Sequence, residues 1–393
     1  MIGVAFETKK ISRTSNDRKG KLFIVGIIAC LVGFVGLGFV AQRLGPPGPR
    51  KSGGEIAYVL SSNPESRNGS AVRMVSADGT NDREITAGRM AVWAPNGSVF
   101  VCKRSISNTP TNEWVIVSRE GKYLANVYGS SLEARSFTWS PDGRKLAVAG
   151  HGELQILNAD GTDLTVVTTN TSRIVSPSWI ESGTRVVFYG GDGIYSVAVD
   201  GSDKHRIADG DGALWVSSDG KLLCYLSKNN VYVVGPDGKN PRLILSALMP
   251  MDVVWSRDSK DIAYTWSGSS GNSITYYIGV VQRDGSHNRP YWVSGDSPAW
   301  DPQGKSIAFL TGSSNGNVLC IQDADNFDPK IRIITEVGST EKFKWSPDGM
   351  YFVYQGGDGR LYRVPRGGGV SVLLTQQTSD VNDAVAWFPA ARL

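Results

Sequence analysis

The chain has 393 residues, 20% of them charged, and a formal net charge of +4. The positive charge is concentrated before residue 52, so the rest of the chain lacks the excess of basic residues that nucleic-acid binding requires. Four cysteines without a Cys-x-x-Cys spacing give no support for a structural zinc site, and we expect neither a metal nor a cofactor.

The first 54 residues predict a membrane anchor and a linker. A short basic segment, residues 1–21, is followed by residues 22–41, which contain no charge. About 20 apolar residues are enough for a helix to cross a bilayer, so this run predicts a transmembrane helix. Because more basic residues precede it than follow it, we expect the N-terminus inside and the remainder in the periplasm or at the cell surface. Residues 42–54, rich in proline and glycine, predict a linker.

Two kinds of processing remain open for this anchor. Cleavage as a signal peptide would follow Ala41, but Phe39 is bulky where a small residue is preferred. Residues 27–30 resemble a lipoprotein box that would lipidate Cys30, but eleven apolar residues follow this cysteine. An uncleaved anchor is therefore favoured.

The remainder of the chain is repetitive, with a tryptophan about every 40 residues and a second acidic-glycine or glycine-rich turn about 20 residues after most of them. Short β-branched runs separated by glycine and proline predict four strands per repeat, which is a propeller blade. The eight tryptophans are Trp93, Trp139, Trp179, Trp215, Trp255, Trp300, Trp345 and Trp387.

The ends of the repetitive region indicate how the ring closes. Residues 55–86 supply three strands without a preceding tryptophan segment, whereas residues 383–389 supply a tryptophan strand with no blade after it. We therefore predict an all-β, eight-bladed propeller over residues 55–389, closed by its C-terminal strand and followed by a tail, residues 390–393. Seven blades remain the alternative, if a weak repeat is merged with its neighbour.

The Trp-Ser-Pro-Asp-Gly motif is strongest at residues 139–143 and 345–349 and moderate at residues 93–97 and 300–304. It resembles the TolB-type, WD-repeat-like propeller repeat of bacterial envelope proteins. The resemblance covers roughly residues 54–389 and implies the fold. TolB has six blades and a further domain in front of them, which this sequence does not match, so no TolB function is carried over.

Candidate ligand-binding residues come from the predicted mouth of the central channel. If each tryptophan fixes the register of the innermost strand, the residue four positions before it lies at the mouth. The charged residues at these positions are Arg89, Arg135, Asp211, Asp296, Glu341 and Asp383, while Val175 and Met251 complete the ring. Basic residues in blades two and three and acidic residues in blades five, seven, eight and one predict a polarised mouth that could orient a peptide or a zwitterionic ligand. Ordinary solvated loop ends are the competing interpretation.

No catalytic motif accompanies this ring of residues. The sequence contains no Gly-x-Ser-x-Gly motif, and an acidic stretch at residues 323–328 lacks the glycine and the terminal glutamate of a calcium loop. We therefore expect a monomeric, non-catalytic propeller that binds an envelope protein or peptide, with no nucleic-acid partner. A hydrolase or lyase that uses the channel mouth and a ligand-sensing ectodomain are the alternatives.

Overall fold

The computed structural model describes residues 54–61, 70–105, 112–127, 136–150, 152–169, 174–246, 248–270, 273–313, 316–324, 331–338, 343–376 and 385–389. The predicted cytoplasmic segment, transmembrane helix, tail and nearly all of the linker lie outside these residues. No helix within them is long and apolar enough to cross a membrane.

The described chain folds into eight four-stranded antiparallel sheets, which we number as blades 1 to 8. Blade 1 contains β1 (Gly54–Ser61), β2 (Ser70–Ser76), β3 (Arg83–Ala87) and β32 (Ala386–Pro389). Blade 2 contains β4 (Arg89–Trp93), β5 (Val99–Ser105), β6 (Asn112–Ser118) and β7 (Tyr123–Asn126). Blade 3 contains β8 (Ser136–Trp139), β9 (Lys145–Gly150), β10 (Glu153–Asn158) and β11 (Thr165–Thr169). Blade 4 contains β12 (Val175–Ile180), β13 (Arg185–Tyr189), β14 (Ile194–Ala198) and β15 (His205–Ala208).

The second half of the ring repeats this arrangement. Blade 5 contains β16 (Leu214–Val216), β17 (Leu223–Ser227), β18 (Asn230–Val234) and β19 (Arg242–Leu245). Blade 6 contains β20 (Asp252–Trp255), β21 (Asp261–Ser270), β22 (Ser273–Gln282) and β23 (Arg289–Ser294). Blade 7 contains β24 (Asp296–Trp300), β25 (Ser306–Ser313), β26 (Gly316–Asp323) and β27 (Arg332–Gly338). Blade 8 contains β28 (Phe343–Trp345), β29 (Tyr351–Gln355), β30 (Leu361–Pro365) and β31 (Val372–Leu373).

The prediction of eight blades is confirmed, and so is closure by the C-terminal strand. β32 pairs with β1, with Pro389 opposite Gly54 and Ala386 opposite Ala57. The first blade is therefore built from both ends of the propeller, which leaves no unpaired strand between the first and last repeats.

Apolar side chains lie between the blades and not inside any one of them. Nine clusters of buried residues fill the eight interfaces between neighbouring blades, and two of these clusters lie between blades 6 and 7. Each sheet therefore depends on its neighbours for burial of its faces, as in other repeat architectures. The three cysteines of the propeller, Cys102, Cys224 and Cys320, are buried free thiols within these clusters.

The two faces of the ring differ in their connections. On one face, which we call the turn face, a tight turn follows the innermost strand of each blade, and a second turn joins the third strand to the fourth. Gly143, at φ +72°, is at the left-handed position of one of them, where glycine carries no steric penalty. The opposite face, which we call the loop face, carries the connections that lead into the innermost strands. This face contains the predicted mouth.

Candidate ligand-binding mouth

The register of the innermost strands decides which residues share one level at the mouth. In blade 6 pairing is regular, and Asp252 lies opposite Thr265, ten positions after Trp255. In blade 7 Asp296 lies opposite Leu310, also ten positions after its tryptophan. Asp252 and Asp296 therefore occupy equivalent levels in neighbouring blades.

A bulge explains why the two residues stand at different distances from their tryptophans. Pairing shifts between Asp296 and Ala299, and Ser297 adopts φ +53°. Pro298 has no N–H to donate, so it cannot take part in a regular ladder at this point. Similar shifts occur in blade 2 after Arg89 and in blade 4 after Val175. Bulges of this kind re-aim side chains and are common beside functional sites.

The fixed spacing of four residues therefore selects the wrong residue in blade 6. The sequence prediction placed Met251 at the mouth, whereas Asp252 occupies the level of Asp296. Asp252 is a functional candidate that the prediction missed. The signal that could have found the bulge in blade 7 is the Ser-Pro pair at residues 297–298, which has no counterpart in the blade 6 strand.

Blade 5 requires a larger correction. Val216, not Trp215, occupies the position of the repeat tryptophan, because Val216 pairs with Leu223 seven positions later, as Trp255 pairs with Ile262. The level of Asp252 corresponds in blade 5 to Ala213, two residues beyond the predicted Asp211. Gly220 also lies four positions after Val216, the same spacing as between Trp139 and Gly143, so the sequence contained the signal.

Asp211 instead stabilises a hairpin. Its Oδ2 accepts a hydrogen bond of 2.6 Å from the backbone N–H of Lys228, at the tip of the turn between β17 and β18. Lys228 and Asn229 both have positive φ in this turn, and the carboxylate holds the turn against the connection that leads into β16.

The remaining predicted residues divide into two groups. Arg89, the first residue of β4, is exposed and lies opposite Lys103 at the same level as Asp252. Since blades 2 and 6 are four blades apart in a ring of eight, Arg89 and Asp252 lie on opposite sides of the channel. Arg135, Glu341 and Asp383 lie outside the described residues.

Asp252 has the most perturbed carboxyl group of the mouth. Burial raises the pKa of Asp252, the Lys344 ammonium lowers it, and the neighbouring Asp296 adds a smaller upward effect, so that the pKa stands at about 6. Lys344 belongs to β28, two blades further round the ring, so these three charges act on one another across the channel. A carboxyl group with this pKa changes charge close to neutral pH.

Thr265 adds a polar atom beside this carboxyl group. The two residues are directly opposite in the antiparallel pair β20–β21, so their side chains lie on the same face of blade 6. Thr265 is 2% exposed, and its Oγ1 has no hydrogen-bond partner within the part of the chain that the structure describes. A buried hydroxyl without a partner usually marks a place for a water or a ligand.

The chemistry of this mouth suits a cationic group. Two carboxyl groups at one level can accept hydrogen bonds from an ammonium or a guanidinium, and Thr265 can accept or donate one more. Among the described residues no group of three or more His, Cys, Asp or Glu side chains could hold a metal ion.

A second concave region lies on the turn face between blades 5 and 6. This groove of about 560 Å³ is lined by residues that include Lys221, Arg242 and Arg283, together with Asp219 and Asp284. The two carboxylates accept hydrogen bonds from their own turns, so they serve local structure. None of the predicted mouth residues belongs to this groove.

The geometry therefore defines the class of this protein as a closed eight-bladed propeller with a charged channel mouth. No protein-family model matches the chain, and no curated protein matches it. The fold is similar to that of dihydro-heme d1 dehydrogenase NirN in complex with DHE, with a TM-score of 0.59 and 15% identity over 84% of this chain and 75% of that one.

Two further solved structures share the fold. One is described as the eukaryotic initiation factor, with a TM-score of 0.56 and 13% identity over 82% of this chain and 96% of the other. The other is oligogalacturonate lyase in complex with manganese, with a TM-score of 0.51 and 11% identity over 80% of this chain and 98% of the other. At such identities these similarities define the fold alone, and they leave the resemblance to the TolB-type repeat untested.

Proposed function

We propose that this protein is a membrane-anchored, extracytoplasmic propeller that binds a basic segment of a protein or peptide at its channel mouth and catalyses no reaction. The observation that carries the proposal is the placement of Asp252 and Asp296 at one level in neighbouring blades, with Arg89 across the channel. The electric field between the acidic residues of blades 6 and 7 and the arginine of blade 2 orients a ligand with its positive group toward blades 6 and 7.

The raised pKa of Asp252 supports binding at this place. An ionised carboxyl group that is poorly solvated and lies near a second carboxyl group gains most from an added cation. Removing one partner of a buried charge pair weakens binding more than removing a charge at an exposed rim. An arginine or lysine of the ligand would therefore contribute most of its affinity through Asp252.

The position of the chain entry supports the proposed topology. β1 begins at Gly54 on the turn face, where the Gly54 carbonyl accepts a hydrogen bond of 2.8 Å from Ala77 N–H beside a turn. A linker from a transmembrane helix at residues 22–41 would join the propeller on this face. The loop face and its mouth would then point away from the bilayer, toward a partner in the surrounding compartment.

Binding of an arginine-bearing peptide to the full-length protein in lipid nanodiscs tests the proposal. We expect Asp252→Asn to weaken binding at pH 7.5 by roughly tenfold or more, since one of two carboxylates is lost. Asp209→Asn is the matched control, because Asp209 is an exposed aspartate that directly follows β15, the outermost strand of blade 4, and pairs with Arg206 at 2.7 Å. Equal binding by Asp252→Asn and wild type would refute a mouth site.

One observation favours a second function. A carboxyl group with a pKa of about 6 next to another carboxyl group can transfer protons near neutral pH, as a general acid or base must. Under this alternative the mouth is the active site of a hydrolase or lyase. Turnover of a peptide, ester or glycan substrate that disappears in Asp252→Asn would favour the enzyme over the binding protein.

A further inference from the structure

The connection between β19 and β20 crosses the loop face from the outer edge of blade 5 to the channel. Leu248 N–H donates a hydrogen bond of 2.9 Å to the Asn229 carbonyl of blade 5, and Met251 N–H donates one of 2.8 Å to the Thr265 carbonyl of blade 6. Its path is therefore fixed at both ends. It reaches the mouth directly at Asp252, the first residue of β20.

This connection presents methionine side chains on the surface. Met249 is 49% exposed and Met251 is 44% exposed, whereas Leu248 packs against the cluster between blades 5 and 6. We call Met249 and Met251 the methionine floor. Methionine is unbranched and polarisable, and it is used at binding surfaces that accept different apolar side chains.

Aromatic side chains rise beside the methionine floor. β21 and β22 are ten residues long, while the adjacent β17 and β18 of blade 5 have five, so the hairpin of blade 6 extends beyond its neighbour. Trp266 and Tyr277 lie opposite one another in this hairpin, at the level where the blade 5 hairpin ends, and Tyr291 lies on the adjoining β23. We call these three residues the aromatic wall. Trp266 also packs against the cluster shared with blade 5, so the wall faces the connection that carries the methionine floor.

The aromatic wall is rigid and only partly covered. Ring centroids are 5.3 Å apart between Trp266 and Tyr277, 4.8 Å between Trp266 and Tyr291, and 5.2 Å between Tyr277 and Tyr291. Trp266 Nε1 donates a hydrogen bond of 2.7 Å to the Pro290 carbonyl, which fixes the indole. Tyr291 is nevertheless 64% exposed. Exposed, well-ordered Trp and Tyr side chains are the commonest hot spots of protein interfaces.

We propose that the aromatic wall and the methionine floor form one groove with the acidic mouth, and that the groove binds a peptide segment in which large apolar or aromatic residues stand beside an arginine or lysine. The proposal rests on the proposed function, because Asp252 and Asp296 supply the acidic end. The basic residue enters the mouth, and the apolar residues extend outward over Met251 and Met249 against Tyr291. Charge complementarity sets the direction of the peptide along the groove.

The reason for one continuous ligand is the continuity of the surface. Met251 directly precedes Asp252 at the inner edge of blade 6, so a ligand that crosses this edge reaches both the methionine floor and the acidic mouth. A purely basic peptide would leave the exposed methionine and tyrosine side chains in water. A purely apolar one would make no use of the two carboxyl groups at the mouth. A segment with both properties matches both ends of the groove.

The test uses the full-length protein in lipid nanodiscs and two defined eight-residue peptides. One carries a single arginine among glycines and serines, and the other carries the arginine and two tryptophans. We expect wild type to bind the tryptophan peptide on the order of tenfold more tightly than the arginine peptide. In Met249→Ser/Tyr291→Ser this preference should fall to about twofold or less, with the arginine peptide still bound.

Tyr123→Ser/Met350→Ser is the matched control, since it removes an exposed tyrosine from the outermost strand of blade 2 and an exposed methionine from the turn face. The control should keep the full preference for tryptophan. A preference that survives in Met249→Ser/Tyr291→Ser, or that is missing in wild type, would overturn the groove. Self-association of wild type that this double variant abolishes would also overturn it, because a second copy would then cover the groove.

The same measurements separate the two proposals. If Asp252→Asn weakens binding of the arginine peptide but the tryptophans add nothing, the mouth stands and the groove fails. If the tryptophans strengthen binding whereas Asp252→Asn has no effect on either peptide, the acidic mouth fails, and the single ligand proposed here fails with it.

Discussion

The indole Nε1 of Trp139 lies 2.9 Å from the carbonyl oxygen of Val92 in the preceding blade and donates a hydrogen bond to it. The same link joins Trp179 to Thr138, Trp300 to Val254 and Trp345 to Ala299. The repeat tryptophan therefore connects neighbouring blades in addition to filling the space between them. The innermost strands of the ring are held together by these bonds near the channel.

Trp139→Phe should destabilise the protein more than Trp93→Phe does. Both replacements remove part of a buried indole, but Trp93 Nε1 is buried without a hydrogen-bond partner in the described part of the chain. The difference in the free energy of unfolding should be about 1–2 kcal/mol, the cost of leaving the Val92 carbonyl unsatisfied. Urea denaturation of the two variants measures it. Equal losses would mean that the indole bond contributes nothing.

Arg366→Ala should destabilise the contact between blades 7 and 8 by roughly 3–5 kcal/mol, because it leaves a buried carboxylate without its cation. Arg366 Nη1 lies 2.7 Å from Asp301 Oδ2, and the Asp301 side chain is only 1% exposed. The variant Asp301→Ser/Arg366→Ala should recover much of this loss, since serine stands at the corresponding position of blade 3, Ser140. Thermal unfolding of the single and double variants checks the prediction. A double variant no more stable than Arg366→Ala would contradict it.

Removal of residues 385–393 should unfold the propeller as a unit. β1 would lose its pairing with β32, and blade 1 would lose Trp387 and Phe388 from its two interfaces. The expected result is loss of near-ultraviolet circular dichroism and of a cooperative urea transition. Removal of residues 390–393 alone is the control and should leave the transition unchanged. A truncated chain that melts like the intact protein would contradict ring closure.

Asp252→Asn should stabilise the propeller at high pH. The folded-state pKa of Asp252, about 6, lies above the ordinary value of 3.8, so protonation favours the folded state. This contribution is fully present below pH 3.8 and is lost as the pH rises through 6. At pH 8 the asparagine variant should be more stable than wild type by up to roughly 3 kcal/mol, and the gain should be small at pH 4.

Urea denaturation between pH 4 and 8 measures this difference. Asp252→Glu serves as the control because it keeps a titrating carboxyl group. A gain in the free energy of unfolding that does not change with pH would mean that the charge on Asp252 destabilises the folded state very little. A gain in stability together with a loss of binding would identify Asp252 as a residue that serves function at the expense of the fold.

Much of the fold was predictable because the repeat residues perform local tasks that do not depend on distant contacts. Glycine after Trp139 permits a left-handed turn, and alternating apolar residues form strands. The prediction for blade 5 is wrong by one residue because it treats every tryptophan, including Trp215, as the repeat tryptophan. At Val216 an aliphatic side chain fills the position, and the strand pairing reveals it, in agreement with Gly220 four residues later.

The mouth was less predictable, because its geometry depends on backbone irregularities. Ser297 at φ +53° shifts Asp296 by one residue, so a fixed count from the tryptophan cannot place both Asp296 and Asp252. The pKa of Asp252 depends on burial and on charges in two other blades, and no local pattern encodes this. The aromatic wall was likewise missed, because its three rings come together only through the pairing of β21 with β22 and of β22 with β23.

The pH dependence of peptide affinity tests the central claim most directly. Binding of the arginine peptide to the full-length protein should weaken by about tenfold per unit as the pH falls below 6, because protonation removes the Asp252 charge. In Asp252→Asn the affinity should be low and independent of pH over the same range. An affinity for wild type that stays constant from pH 8 to pH 4.5 would contradict the claim that this carboxylate holds the ligand's cation.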